Sequence, residues 1–229
     1  MKTLGIIGGM SWESTAIYYD LINREVRRRT RDGHTAPIWL YSFDWAEIEE
    51  MVDTEDHQGL RSRFATLGKE LEGLGAGVIL LAANTAHKWA GLLEETVQVP
   101  IIHIADALGL QLAGEGVERV FMLGTKFTMQ EDFLKEMLYA KYGIDTVVPD
   151  DNDIERVHRI IYYELVKGEV SDISRKYLLD LIEKNSQVDA VLLACTELSM
   201  IIHPGDAVIP VFDSTRIHAM AAVDAILKD

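Results

Sequence analysis

A single cysteine in 229 residues means that the chain cannot close an internal disulfide, so nothing in it requires an oxidising compartment. The five prolines are scattered (Pro37, Pro100, Pro149, Pro204, Pro210), and no Pro/Gly/Ser-rich linker divides the chain. No apolar run approaches the ~20 residues that span a bilayer. The N-terminal apolar stretch meets Trp12 and Glu13 too early to serve as a secretory core, so a cytoplasmic protein is expected. Positive charge is also scarce. Lys and Arg number 22 against 37 Asp and Glu, a net charge of −15, which argues against nucleic-acid and anionic-membrane partners. Cys/His pairs at metal spacing and a P-loop are missing, and Ser11-Trp12-Glu13 follow Gly8-Gly9-Met10 where a dinucleotide fingerprint needs another glycine. No metal or nucleotide cofactor is therefore expected.

What the sequence does contain, it contains twice. Val78-Ile79-Leu80-Leu81-Ala82-Ala83-Asn84-Thr85 returns as Ala190-Val191-Leu192-Leu193-Ala194-Cys195-Thr196-Glu197. Likewise Lys2-Thr3-Leu4-Gly5-Ile6-Ile7-Gly8-Gly9 resembles Arg119-Val120-Phe121-Met122-Leu123-Gly124-Thr125-Lys126. From Gly8 to Ala83 is 75 positions, and from Gly124 to Cys195 is 71. Matched spacing and matched end chemistry read as a duplicated half. Strands are expected at 3–8, 37–43, 77–83, 99–103, 119–124, 145–148, 188–195 and 207–211. Between them run amphipathic helices marked by Leu60, Phe64, Leu67, Leu71 and Leu74, by Ile154, Val157, Ile161 and Leu165, and by Ile173, Tyr177, Leu178, Leu181 and Ile182. This alternation predicts an α/β fold of two similar parallel-sheet lobes, 1–105 with 208–229 and 106–207, the last helix returning to the first. Parallel sheets bind ligands beyond the carboxyl ends of their strands, so Gly8–Ser11, Ala83–Thr85, Thr125–Thr128 and Cys195–Glu197 are expected to face one cleft.

Cys195, between a strand and an expected helix start, is the candidate acid or base; the helix terminus should favour its thiolate and lower its pKa. The competing reading is a buried, inert thiol. Asn84 and Thr85 offer short donors and acceptors for a carboxylate, or simple helix caps. Met10 lies in the first glycine turn, and Thr125 and Thr128 supply hydroxyls at the mirrored turn. Lys167 is either a cation for a second carboxylate or a surface lysine. His87 is more readily structural than catalytic, with His103 and His218 behind it. Arg24, Arg27, Arg28, Arg29 and Arg31 read as a solvated helix end.

At these residues the chain resembles the cofactor-independent aspartate/glutamate racemases, specifically the bacterial amino-acid racemase branch, and it does so from end to end. Gly8-Gly9-Met10-Ser11-Trp12-Glu13-Ser14-Thr15, Asn84-Thr85-Ala86-His87, Leu123-Gly124-Thr125-Lys126-Phe127-Thr128-Met129, Ala194-Cys195-Thr196-Glu197 and Pro210-Val211-Phe212-Asp213 carry the likeness. The resemblance implies two lobes with the active site between them, a homodimer, no cofactor, and a small acidic amino acid or dicarboxylate as substrate. It implies two groups working on opposite faces of Cα, with Cys195 as one. It implies substrate contacts from Met10, Asn84, Thr85, Thr125, Thr128, Lys167, Thr196 and Glu197. Ala83 stands where the second acid or base belongs, and a methyl group cannot exchange a proton. The departure leaves an engineered or impaired racemase, a one-cysteine decarboxylase or isomerase of small dicarboxylates, a racemase recruiting water, Thr85 or His87, or a dicarboxylate-binding protein without catalysis.

Overall fold

A computed structural model describes residues 1–30 and 33–228; Arg31, the last of the arginines read as a helix end, lies outside the described residues. The chain divides into two compact units, Met1–Ile104 joined by the segment from His218 onward, and Ala105–Ile217.

In the first unit, four parallel strands run in the order β2-β1-β3-β4: β1 (Leu4–Gly8), β2 (Ile38–Ser42), β3 (Val78–Leu81) and β4 (Ile101–Ile102). β1 pairs with β3 from Leu4↔Val78 to Ile7↔Leu81, and all nine residues of these two strands are buried. Alternation along the strands divides their side chains between two clusters. Ile7, Ile79 and Leu81 pack with Leu60, Phe64, Leu67 and Leu71 of α3 (His57–Gly73). Leu4, Ile6, Val78 and Leu80 pack with Tyr18, Ile22 and Val26 of α1 (Trp12–Thr30) and with Ala219, Ala222, Val223 and Ile226 of α10 (Ser214–Leu227). Each fully buried Leu or Ile contributes roughly 1.5–3 kcal/mol, which is why these two faces govern the unit. Leu74, expected on the apolar stripe, is instead the exposed C-cap of α3.

The second unit repeats the order as β6-β5-β7-β8: β5 (Arg119–Gly124), β6 (Asp145–Val147), β7 (Ala190–Ala194) and β8 (Val211–Asp213). Phe121, Leu123, Val191 and Leu193 pack with Ile154, Val157 and Ile161 of α8 (Asp151–Tyr163) and with Leu178, Leu181 and Ile182 of α9 (Asp172–Lys184). Ile173, expected on that stripe, points to solvent. Asp150 caps α8 and Ser171 caps α9, each accepting from the backbone N–H three residues on.

The expected lobe boundary needs correction. Residues 208–217 fall in the second unit because β8 pairs with β7, Val191↔Val211 through Leu193↔Asp213, after Val191 N–H donates to Pro210 O at 2.8 Å. The strand begins only after Pro204, Gly205 and Pro210, which explains why it lies at 211–213 rather than 207–211. Only from His218 does α10 belong to the first unit, where Lys2 N–H donates to Ile226 O at 2.8 Å and Arg29 pairs with Asp224.

Candidate active site

In the first unit two loops leave the carboxyl ends of adjacent strands. After β1, Gly9 adopts φ +86°, and a Cβ there would overlap the backbone N and O of Phe43. Its N–H donates to Thr15 Oγ1 at 2.9 Å, and Thr15 Oγ1 donates to Ser11 O at 3.0 Å. Ser11 Oγ accepts from Ser14 N–H at 3.0 Å, and Ser14 Oγ donates to Ala82 O at 3.0 Å. That last bond staples the first turn of α1 to the end of β3. Met10 and Ala83 both pack against the apolar cluster that includes Phe43, Phe64 and Trp89.

Ala83, Asn84 and Thr85 are half-buried, and the chain then turns through a 3₁₀ segment, Thr85–Trp89, without a side-chain cap from Asn84. His87 locks this turn. Its Nδ1 lies 3.0 Å from Ala83 O and 3.3 Å from Asn84 O, so Nδ1 carries the hydrogen. Among the described residues its buried Nε2 has no hydrogen-bond partner. The ring meets those of His103 and His218 at 4.6 and 5.2 Å between centroids. His218 Nε2 lies 2.7 Å from Ile102 O and Nδ1 lies 2.9 Å from the Tyr18 hydroxyl, which fixes its tautomer with hydrogen on Nε2. Burial, then the neighbouring histidines, pull His87 well below the usual imidazole range, and burial pulls His218 down to about 4. Among the described residues no such cluster has the arrangement of a metal site.

In the second unit, Thr125 follows β5 and caps α6 (Lys126–Gln130), accepting from Thr128 N–H at 3.4 Å. The two threonine hydroxyls lie 3.0 Å apart. Thr128 is buried, so Thr125 is the more accessible of the pair. Lys167 is exposed in a 3₁₀ turn, Leu165–Lys167, that packs against the turn Thr196–Met200. The structure thus sets the segment of Lys167 against the turn that follows Cys195.

Cys195 is extended (φ −153°, ψ 136°) at the end of β7 and caps the 3₁₀ turn Thr196–Met200 rather than a longer helix. Its thiol donates to Glu197 Oε2 at 2.9 Å, and the Thr196 hydroxyl donates to the same oxygen at 2.6 Å. Cys195, Thr196 and Glu197 are 8%, 7% and 6% exposed. The expected low thiol pKa is therefore reversed: burial, followed by the Glu197 carboxylate, raises it well above its ordinary value, against the pull of the Glu197 and Thr196 backbone N–H groups. Glu197, read as a substrate contact, turns instead onto its own neighbours. The bond from Ser14 to Ala82 O and the fixing of the His218 tautomer by Tyr18 and Ile102 O are not among the sequence expectations. The Ser11–Ser14 spacing at a helix start was a local signal; Tyr18 and His218, 200 positions apart, left none.

Comparison with known proteins agrees with this architecture. The Asp/Glu/hydantoin racemase family matches residues 7–222. A Yersinia pestis protein proposed to be an Asp/Glu racemase is 41% identical over the whole of both chains, with a TM-score of 0.95. An aspartate racemase homologue from Pyrococcus horikoshii OT3 is 34% identical, again over both chains in full, with a TM-score of 0.89. Among curated proteins, the broad specificity amino-acid racemase RacX of Bacillus subtilis (strain 168) is 22% identical over 227 residues, 98% of each chain.

Proposed function

Because the chain belongs to the Asp/Glu/hydantoin racemase family, we propose that it moves the α-proton of aspartate or glutamate without a cofactor, using Cys195 as its acid and base. The observation that carries this reading is the buried thiol at the carboxyl end of β7, already engaged with a proton acceptor. A proton on carbon needs a positioned base to remove it, and general acid–base catalysis is worth roughly 10²–10⁴ in rate. Lys167 is the proposed partner of the side-chain carboxylate. Asn84, Thr85 and Thr125 are proposed to hold the α-carboxylate and ammonium.

Ala83 sets the stereochemical limit. Its methyl group takes no part in proton transfer, so Cys195 removes and returns a proton on one face, and exchange with solvent outruns inversion. The test is to incubate the protein with L- and D-aspartate and glutamate in deuterated water and follow the α-proton by NMR. Exchange with one enantiomer that vanishes in Cys195→Ala is the expected result; absence of exchange with all four compounds would sink the reading. The same single acid favours a second reading, decarboxylation or isomerisation of a small dicarboxylate, in which protonation of one face suffices. Release of CO₂ from a substituted malonate, lost in Cys195→Ala, would favour it.

A further inference from the structure

We infer that Glu197 is the proton partner of Cys195: its Oε2 takes the thiol proton when the sulfur takes a proton from the substrate carbon, and hands it back on the return. The inference rests on Cys195 being the working acid and base, and it begins from the hydrogen-bond geometry. Glu197 Oε2 receives two donors, Cys195 Sγ at 2.9 Å and Thr196 Oγ1 at 2.6 Å. An oxygen that accepts from both carries no proton itself, and so the sulfur holds one. A thiol cannot accept a proton from carbon, because the thiolate is the reactive form. The resting site must therefore first move its proton off sulfur. Among the described residues, Glu197 is the one side chain hydrogen-bonded to that sulfur.

Thr196 makes the arrangement specific. Its hydroxyl fixes the carboxylate orientation and keeps one hydrogen bond on Oε2 after the thiol proton arrives there. The backbone N–H groups of Thr196 and Glu197 oppose the rise in thiol pKa, so they stabilise the thiolate for the interval in which it exists. Burial of all three residues strengthens the thiol–carboxylate hydrogen bond relative to one in bulk water.

The step balances within the pair. The S–H bond breaks and an O–H bond forms on Glu197. The Cα–H bond then breaks, its proton forms a new S–H bond, and its electron pair remains on the substrate, delocalised into the adjoining carboxylate. The pair holds one proton at rest and two in the intermediate. Reversal returns one proton to carbon and the other to sulfur, with no further reactant. Burial and the neighbouring carboxylate, which would make Cys195 a poor base alone, become a way of keeping the thiol protonated until substrate is present.

The experiment uses the intact protein, whose one cysteine makes its thiolate absorbance unambiguous once Cys195→Ala is subtracted. In Glu197→Gln, ionisation of the thiol should move to lower pH than in the unaltered protein, since the neighbouring negative charge is gone. An unchanged titration overturns the pairing. In the deuterium-exchange assay, Glu197→Gln should lower kcat by roughly 10²–10⁴ with little change in KM, and Glu197→Asp should recover part of it. Full activity in Glu197→Gln overturns the inference. If the unaltered protein exchanges neither aspartate nor glutamate, the substrate reading has failed, and the titration alone decides the Cys195–Glu197 pair.

Discussion

The Tyr18 hydroxyl donates to Nδ1 of His218 at 2.9 Å, joining α1 to α10 through two side chains with no measurable exposure between them beyond 1%. Because His218 Nε2–H is spent on Ile102 O, the ring is satisfied only while neutral.

Acid should therefore destabilise the first unit. A folded-state pKa of about 4 for His218, below the ordinary value of 6.5, means the unfolded chain binds the proton more tightly. Stability is full above about pH 6.5 and falls as the pH drops towards 4, by up to about 1.4 kcal/mol per unit for this group. His87 is shifted in the same direction and adds to the loss. Urea denaturation across this range should show the slope, and His218→Gln should flatten it. Tyr18→Phe should cost about 1–3 kcal/mol at neutral pH, since it leaves a buried ring nitrogen unsatisfied.

Gly9→Ala should destabilise severely, with loss of soluble folded protein, because both φ +86° and the backbone of Phe43 exclude a Cβ. Gly33→Ala is the control: it shares a positive φ, 75°, but a Cβ there meets nothing within 4 Å, so its cost should stay near 1 kcal/mol. Thermal unfolding of the two variants separates packing from conformational strain.

Ala83→Cys and Ala83→Thr should raise inversion relative to exchange. The methyl of Ala83 packs against the cluster around Phe43 and Trp89, and the half-buried site can accommodate the one heavy atom that Cys adds or the two that Thr adds. Following optical rotation and deuterium incorporation together gives the ratio. A ratio that does not move in either variant means that position 83 is not the missing acid or base.

Self-association is proposed to use β2. Trp39, Leu40 and Tyr41 are 45%, 44% and 39% exposed on the outer strand of the first sheet, unlike every residue of β1 and β3. A second copy burying them is the occupant that the family resemblance suggests. Leu40→Lys should shift the sedimentation coefficient from dimer to monomer; a chain already monomeric at micromolar concentration refutes the assignment.

Much of this was readable because parallel strands are buried on both faces and so spell continuous Val, Ile and Leu. Leu4–Gly8, Val78–Leu81 and Ala190–Ala194 announce themselves in this way. The position of Cys195 after a strand was readable for the same reason. Its charge state was not: a helix start suggested a favoured thiolate, whereas side-chain direction at Glu197 and burial reverse the sign. β8 was displaced because a two-proline loop delays pairing, and pairing depends on a partner elsewhere in the chain. The histidine contacts depend on packing between 18, 87, 103 and 218, which leaves no periodic mark.

The return of α10 to the first sheet imposes an order on synthesis. Leu4, Ile6 and Leu80 leave the ribosome early, but Ala219, Ala222, Val223 and Ile226, which help to cover them, leave only after the whole second unit. Domains generally fold as they emerge, the N-terminal one first, and exposed apolar surface invites aggregation in the interval. Here the rule inverts: the second sheet and its helices are complete by Ile217, while the face of the first sheet that carries Leu4, Ile6 and Leu80 has only α1 to cover it until α10 arrives. Translation of α10 is the moment at which the nascent first unit becomes safe from its own stickiness.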